Sequence, residues 1–267
     1  MSNSKALQRQ EYIMNLLEAR GNVSVKRLAD RLNVSMWTIR RDLNCLEDRG
    51  ILKRYYGGAD PTQSSDDPCQ TTERDSFRMS AVVNLEAKQC IGLATARMLH
   101  SGERVAMAGG TTTLEVAKAL KIIGFRGEII TNALDIALEL SEEPEIHVVC
   151  TGGDVQPRYH TLVGSVTERM LKVNCFDVAV IGVGGISLRN GITTHSQVDA
   201  TALELMMENS YRNILVADCA KFGRVNFASL SPTVPINYLV TNAPPPAEYI
   251  EYLHRMNVRV VIADKNA

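Results

Sequence analysis

Apolar residues recur at helical spacing from the start of the chain. Leu7, Ile13, Leu16 and Leu17 fall on one face of a helix that stops at Gly21. Ser24 stands where a cap belongs for a short helix from Val25 to Leu32, whose buried positions are Val25, Leu28, Ala29 and Leu32. Asn33-Val34 supplies a turn. Ser35 then caps a longer helix with Ile39, Leu43 and Leu46 inward, ending near Arg49-Gly50. Ile51 to Tyr56 suits a short strand, and Gly57-Gly58 can close a small hairpin.

Periodicity lapses after residue 59. The stretch PTQSSDDPCQTTERD is rich in Pro, Ser, Thr and acids and holds almost nothing apolar, so 60–75 reads as a linker. From about Phe77 the pattern resumes in another form. Lys88 to Leu99 forms an amphipathic helix. Short apolar runs follow at Arg104–Ala108, Glu128–Thr131, Ile146–Thr151, Val178–Val183, Arg212–Ala217, Tyr238–Thr241 and Val258–Ala263. Helical stretches at Thr113–Leu120, Leu134–Leu140, Ala200–Asn209 and Ala247–Met256 lie between several of them. Such alternation predicts a mostly parallel sheet flanked by helices. The expected architecture is thus an all-α winged helix-turn-helix over 1–59, a linker over 60–75, and an α/β domain over 76–267.

Charge sharpens this division. The net charge is -1 over 267 residues, but residues 1–59 carry eleven Lys and Arg against six acids, a local +5, which leaves -6 on the rest. A basic end on an acidic chain points to a polyanionic partner, although a solvated helical surface would look the same. Six cysteines (Cys45, Cys69, Cys90, Cys150, Cys175 and Cys219) are scattered with no metal-ligand spacing, as in a reducing, cytoplasmic setting. No zinc site, cofactor motif, signal peptide or membrane-length apolar run is read.

Ser24 to Leu46 meets the requirements of a helix-turn-helix: two short helices, a tight turn, and a polar leading half on the second helix. Ile39 and Leu43 face inward, which offers Met36, Trp37, Thr38, Arg40 and Arg41 to a groove or backbone. Arginines fork onto guanine edges or phosphates. The Ser35 hydroxyl at the helix start suits a phosphate, and Lys53 and Arg54 on the wing can touch flanking backbone. Trp37 fits equally well as packing against the first helix.

The α/β segment has its own candidate site. Gly109-Gly110-Thr111-Thr112-Thr113 follows a strand and opens a helix. Glycines let the backbone approach an anion, and threonine hydroxyls and helix-start N–H groups donate to it; a capped structural turn is the plain alternative. It is not a Walker loop, because no Gly-Lys-Ser/Thr follows. Three further loops fall at strand ends: Thr131-Asn132, Thr151-Gly152-Gly153 and Gly182-Val183-Gly184-Gly185. Each alone reads as a tight turn, but together they make a rim for a polar ligand. Asp199 and Lys221 add opposite charges, as ligand contacts or as surface ion pairs.

The runs Val34-Ser35-Met36-Trp37-Thr38-Ile39-Arg40-Arg41-Asp42-Leu43, Leu46-Glu47-Asp48-Arg49-Gly50 and Arg54-Tyr55-Tyr56-Gly57-Gly58-Ala59 resemble the signature of DeoR-type bacterial regulators. The resemblance extends through the second segment, whose loops look like those of the family's effector domain, similar in fold to ribose-phosphate isomerases. It implies an oligomeric repressor of carbohydrate-use genes, binding operator DNA and modulated by a phosphorylated sugar or related anionic metabolite. Three positions depart from the family pattern. Ala108 stands where an acid is common, Ala220 where Ser is, and Asp199-Ala200-Thr201-Ala202-Leu203 has lost the lysine of Glu-Ala-x-Val-Lys. The alternative is an isomerase-like enzyme carrying an accessory DNA-binding domain, which needs a positioned carboxylate base; Asp199 and Asp218 are the candidates. A DNA-binding scaffold without a ligand would not need the glycine-threonine loop.

Overall fold

The computed structural model describes residues 9–17, 23–48, 51–55, 58–61 and 80–264. The chain divides into two compact units, Met1–Asn84 and Leu85–Ala267.

In the first unit, helix α1 (residues 9–17) is followed by strand β1 (Val23–Ser24), helices α2 (Val25–Leu32) and α3 (Met36–Asp48), and strands β2 (Leu52–Tyr55) and β3 (Gly58–Pro61). The spacing of Ile39, Leu43 and Leu46 puts all three on one face of α3, fully buried against Ile13, Met14 and Leu17 of α1 and Val25, Leu28 and Ala29 of α2. Each such side chain contributes about 1.5–3 kcal/mol on burial. Leu32 is only half-buried. The turn between α2 and α3 is made by Asn33 in the left-handed region (φ 50°), its N–H bonded to the Ala29 carbonyl. Ser24 occupies the cap position of α2 without a side-chain cap bond. The three strands pair antiparallel in the order β1-β3-β2, with Tyr55 opposite Gly58 at the hairpin end and Leu52 opposite Pro61. Asp60 and Pro61 therefore lie in the wing, and Val83 is buried in the same core. Arg49, Gly50, Tyr56, Gly57 and most of the expected linker lie outside the described residues.

The second unit contains helix α4 (Leu85–Ala96), β4 (Arg104–Met107), α5 (Thr111–Ile123), β5 (Gly127–Thr131), α6 (Leu134–Leu140), β6 (Ile146–Cys150) and a small hairpin, β7 (Asp154–Gln156) with β8 (Thr161–Val163). It continues with α7 (Ser165–Val173), β9 (Phe176–Gly182), β10 (Gly185–Ser187), β11 (Gly191–Thr194), α8 (Gln197–Glu208), β12 (Ser210–Val216), a 3-10 turn (Cys219–Lys221), β13 (Ala228–Ser229), β14 (Tyr238–Thr241), α9 (Ala247–Arg255) and β15 (Arg259–Ile262). Seven strands form one sheet in the order β15-β14-β12-β9-β4-β5-β6, every pair parallel. The seven apolar runs of the sequence correspond to these seven strands.

Alternate residues build two separate cores. Val105, Met107, Val178, Val180, Ile214 and Val216 point to one face and pack with Ile91, Val116, Leu120 and Ile136 from α4, α5 and α6. Ala106, Ala108, Ala179, Ile181 and Leu215 point to the other, against Leu171, Leu203, Met206 and Leu253 from α7, α8 and α9. The topology explains this split. The chain moves outward from β4 through β5 to β6, then returns to place β9 on the other side of β4 and moves outward through β12, β14 and β15. Right-handed crossovers taken in opposite directions put their helices on opposite faces. The reversal opens a crevice between the carboxyl ends of β4 and β9, where sheets of this kind hold ligands.

Candidate functional site

The leading turn of α3 presents an exposed polar and aromatic surface. Ser35 precedes it; its Oγ accepts the Thr38 N–H at 3.1 Å and pairs with the Thr38 hydroxyl at 2.9 Å. This cap satisfies one orphan donor and stabilises the helix start by about 1 kcal/mol. Met36 and Trp37 are 50% and 68% exposed. Trp37 thus does not pack against the first helix; the Arg41 guanidinium lies over its ring at 6.0 Å. Arg40 and Arg41 are exposed and Thr38 half-buried. The next residue, Asp42, is buried and held by Arg9 of α1 (Nε to Oδ2 2.7 Å, a guanidinium nitrogen to Oδ1 3.2 Å). The signature acid therefore fixes α3 to α1, while the arginines beside it face outward. Lys53 and Arg54 lie on β2; their side chains are outside the described residues.

In the second unit the glycine-threonine loop sits at the crevice. Gly110 precedes α5 with φ 151° and ψ 158°, a region closed to most side chains. It directs the first N–H groups of α5, which lack intrahelical acceptors, toward the carboxyl edge of the sheet. Thr113 is fully buried, its hydroxyl donating to the Gly110 carbonyl at 2.9 Å; Thr112 is buried and Thr111 half-buried. Gly182, at the end of β9, abuts this loop: a Cβ there would lie 3.5 Å from the Thr113 methyl. Ala108, where an acid is common in the resembling family, is buried, with its N–H bonded to the Val180 carbonyl.

The other candidate glycines and polar residues shape the rim. Asn132 Oδ1 accepts the Gly109 N–H at 3.1 Å, and its Nδ2 donates to the Leu162 carbonyl at 3.2 Å. The Thr131 hydroxyl donates to the Met107 carbonyl and accepts the Ala133 N–H. Gly152 and Gly153 pack against α7: the Gly152 carbonyl accepts the Thr167 hydroxyl, and a Cβ on Gly153 would meet that hydroxyl at 2.4 Å. Gly185 lies inside β10 against the backbone of Arg224. These residues hold neighbouring segments in contact.

Asp199 opens α8, and its carboxylate is bound by the Ser196 hydroxyl. Burial pushes its pKa up, with the Ser196 bond pulling the other way. Asp218 is buried, its Oδ1 accepting the Ala220 N–H at 2.9 Å. Both carboxylates are therefore engaged locally. Leu203, at the position of the lost lysine, is buried in the core. Lys221 ends the 3-10 turn, half-buried and close enough to His195 to depress it.

The sequence did not flag Arg158, Tyr159, His195 or Asn226. Tyr159, in the turn between β7 and β8, stacks on His195, which follows β11 (centroids 4.8 Å apart, 16° between planes). Burial first, then the Lys221 and Arg158 charges, lower the His195 pKa to about 4. No period or motif marks these four residues.

Comparison with known proteins bears on both sites. Residues 9–65 match the DeoR-like helix-turn-helix domain and residues 83–243 the DeoR C terminal sensor domain. The HTH-type transcriptional regulator GlpR of Haloferax volcanii is 33% identical over 258 residues, covering 95% of this chain and 96% of that protein. A putative aga operon transcriptional repressor of Escherichia coli O157:H7 is 31% identical, covering 96% and 93%. The glycerol-3-phosphate regulon repressor of Escherichia coli K12 is 28% identical, covering 93% and 96%.

Proposed function

Since this chain belongs to the DeoR family of DNA-binding transcriptional regulators, we propose that it is a cytoplasmic homo-oligomeric repressor of carbohydrate-use genes, released from or modulated on its operator by a phosphorylated sugar or polyol. Residues 1–59 contact DNA, with Ser35, Met36, Trp37, Thr38, Arg40 and Arg41 of the α3 region at the groove and Lys53 and Arg54 of the wing at the flanking backbone. Residues 85–267 bind the effector and the second copy. Oligomerisation holds two winged units at the spacing of a repeated or palindromic operator. The effector acts by binding one arrangement of the sensor better than another.

The observation that carries the effector reading is the glycine-threonine loop at the β4/β9 crevice, where Gly110 turns the α5 N-terminus toward an incoming anion. A phosphate gains both the helix dipole and several N–H and hydroxyl donors there. The name of the Escherichia coli K12 relative, a glycerol-3-phosphate regulon repressor, supports the same ligand class. The isomerase alternative lacks support, because Asp199 and Asp218 are bound by Ser196 and the Ala220 N–H rather than left free as bases. The test is binding of the purified protein to operator fragments, with and without a panel of phosphorylated sugars, at two salt concentrations. Specific binding altered by one metabolite is expected. Binding that no phosphorylated sugar or polyol alters overturns the effector assignment. Thr112→Val should weaken the effector response and spare DNA binding.

A further inference from the structure

The α5 loop accounts for one anionic group, and a second set of donors stands close to it. The Arg158 guanidinium lies 5.4 Å over the Tyr159 ring, and Tyr159 in turn stacks on His195. Asn226 Nδ2 is 3.2 Å from His195 Nδ1. An amide nitrogen can only donate, so Nδ1 accepts and the ring proton sits on Nε2, available to a ligand. The charged groups acting on this ring are both cations, Lys221 and Arg158. Neutral His195 thus offers one N–H donor within the electrostatic reach of two positive charges.

Two routes along the chain tie this patch to the glycine-threonine loop. The Thr161 methyl covers Gly109 so closely that a Cβ there would lie 2.2 Å from it. Tyr159 is two residues before Thr161, a reach of about 7 Å. On the opposite wall Gly182 abuts Thr113, and Gly184, two residues on, abuts the Asn226 amide that holds His195. Both routes place the patch within about the length of a short sugar chain from the α5 N-terminus.

We infer that Arg158, His195 and Lys221 form a second anion subsite facing the glycine-threonine loop, and that the effector carries an acidic group at each end, as a sugar bisphosphate or a phosphorylated sugar acid does. This rests on the reading of the α/β unit as a sensor of phosphorylated metabolites. A one-ended sugar phosphate would engage the glycine-threonine loop and leave the Arg158 guanidinium and the His195 ring N–H unused. A two-ended ligand forms charge-assisted bonds at both subsites.

The test is calorimetric titration of the full-length protein with fructose 6-phosphate, fructose 1,6-bisphosphate and 6-phosphogluconate. At least one two-ended ligand should bind about tenfold or more tightly than the monophosphate, as expected for an added charge-assisted contact. Arg158→Gln and, separately, His195→Gln should shrink that ratio to about threefold or less. Thr112→Val should weaken all ligands alike and leave the ratio standing. Equal affinity for one-ended and two-ended ligands overturns the second subsite while leaving the sensor reading intact. An advantage that survives both Arg158→Gln and His195→Gln also overturns it. Absence of binding by all three overturns the sensor reading, and the second subsite with it.

Discussion

Trp37 holds most of its surface in solvent at the first turn of α3, with the Arg41 guanidinium above its ring. A tryptophan so placed adds little to the fold and has apolar area to offer to DNA. Trp37→Ala should change unfolding free energy by no more than about 0.5 kcal/mol. The same change should weaken specific operator binding about tenfold, measured by fluorescence anisotropy on an operator duplex. Asp42, five residues on, is the reverse case. Arg9→Ala leaves its carboxylate buried without the guanidinium, so the winged unit should lose about 2 kcal/mol, read from chemical denaturation. His195 gives a pH signature. Its folded pKa of about 4 lies below the ordinary 6.5, so between these values the unfolded chain holds more protons. Its contribution to stability is therefore full above 6.5 and lost as pH falls toward 4. The stability difference between wild type and His195→Gln should slope across that window and flatten above it.

Among the elements, Gly109 shows how little space the sensor rim leaves. Gly109→Ala drives a methyl into Thr161, which should displace β8 and reduce effector affinity with DNA binding kept; Thr161→Ser in the same chain should restore it. Titrating effector into both variants checks this. How far such elements were legible depended on their length. The strands of the large sheet announced themselves because Val105, Val178, Ile214 and their neighbours are apolar on both faces and separated by amphipathic helices. Helix α7 and strands β7, β8, β10, β11 and β13 escaped notice. Two or three residues such as Thr161–Val163 or Ala228–Ser229 are too short to carry a period. The site divided the same way. Gly109 to Thr113 is contiguous and follows a strand, so its chemistry could be read directly. Arg158, His195 and Asn226 are brought together only by packing of separate loops, which no local pattern encodes.

For the whole molecule, charge and topology are both unevenly distributed. The +5 of residues 1–59 should make operator affinity fall steeply with salt, as counterions leave the phosphates. Replacing Arg40 or Arg41 by Ala should flatten a plot of log affinity against log salt by about one unit if that residue contacts phosphate. A stronger loss on the cognate operator than on random DNA would assign it to a base edge instead. The order of the strands has a consequence of another kind. Among the described residues, the core of the winged unit lies between Ile13 and Val83, whereas β4 acquires its inner neighbour only when Val178–Val180 has been made. At ribosomal speed that is about 5–20 s of further synthesis. The nascent chain thus completes its reader well before the crevice can exist, and a chain interrupted in that interval would carry a finished winged unit with neither the ligand site nor the surface for a second copy.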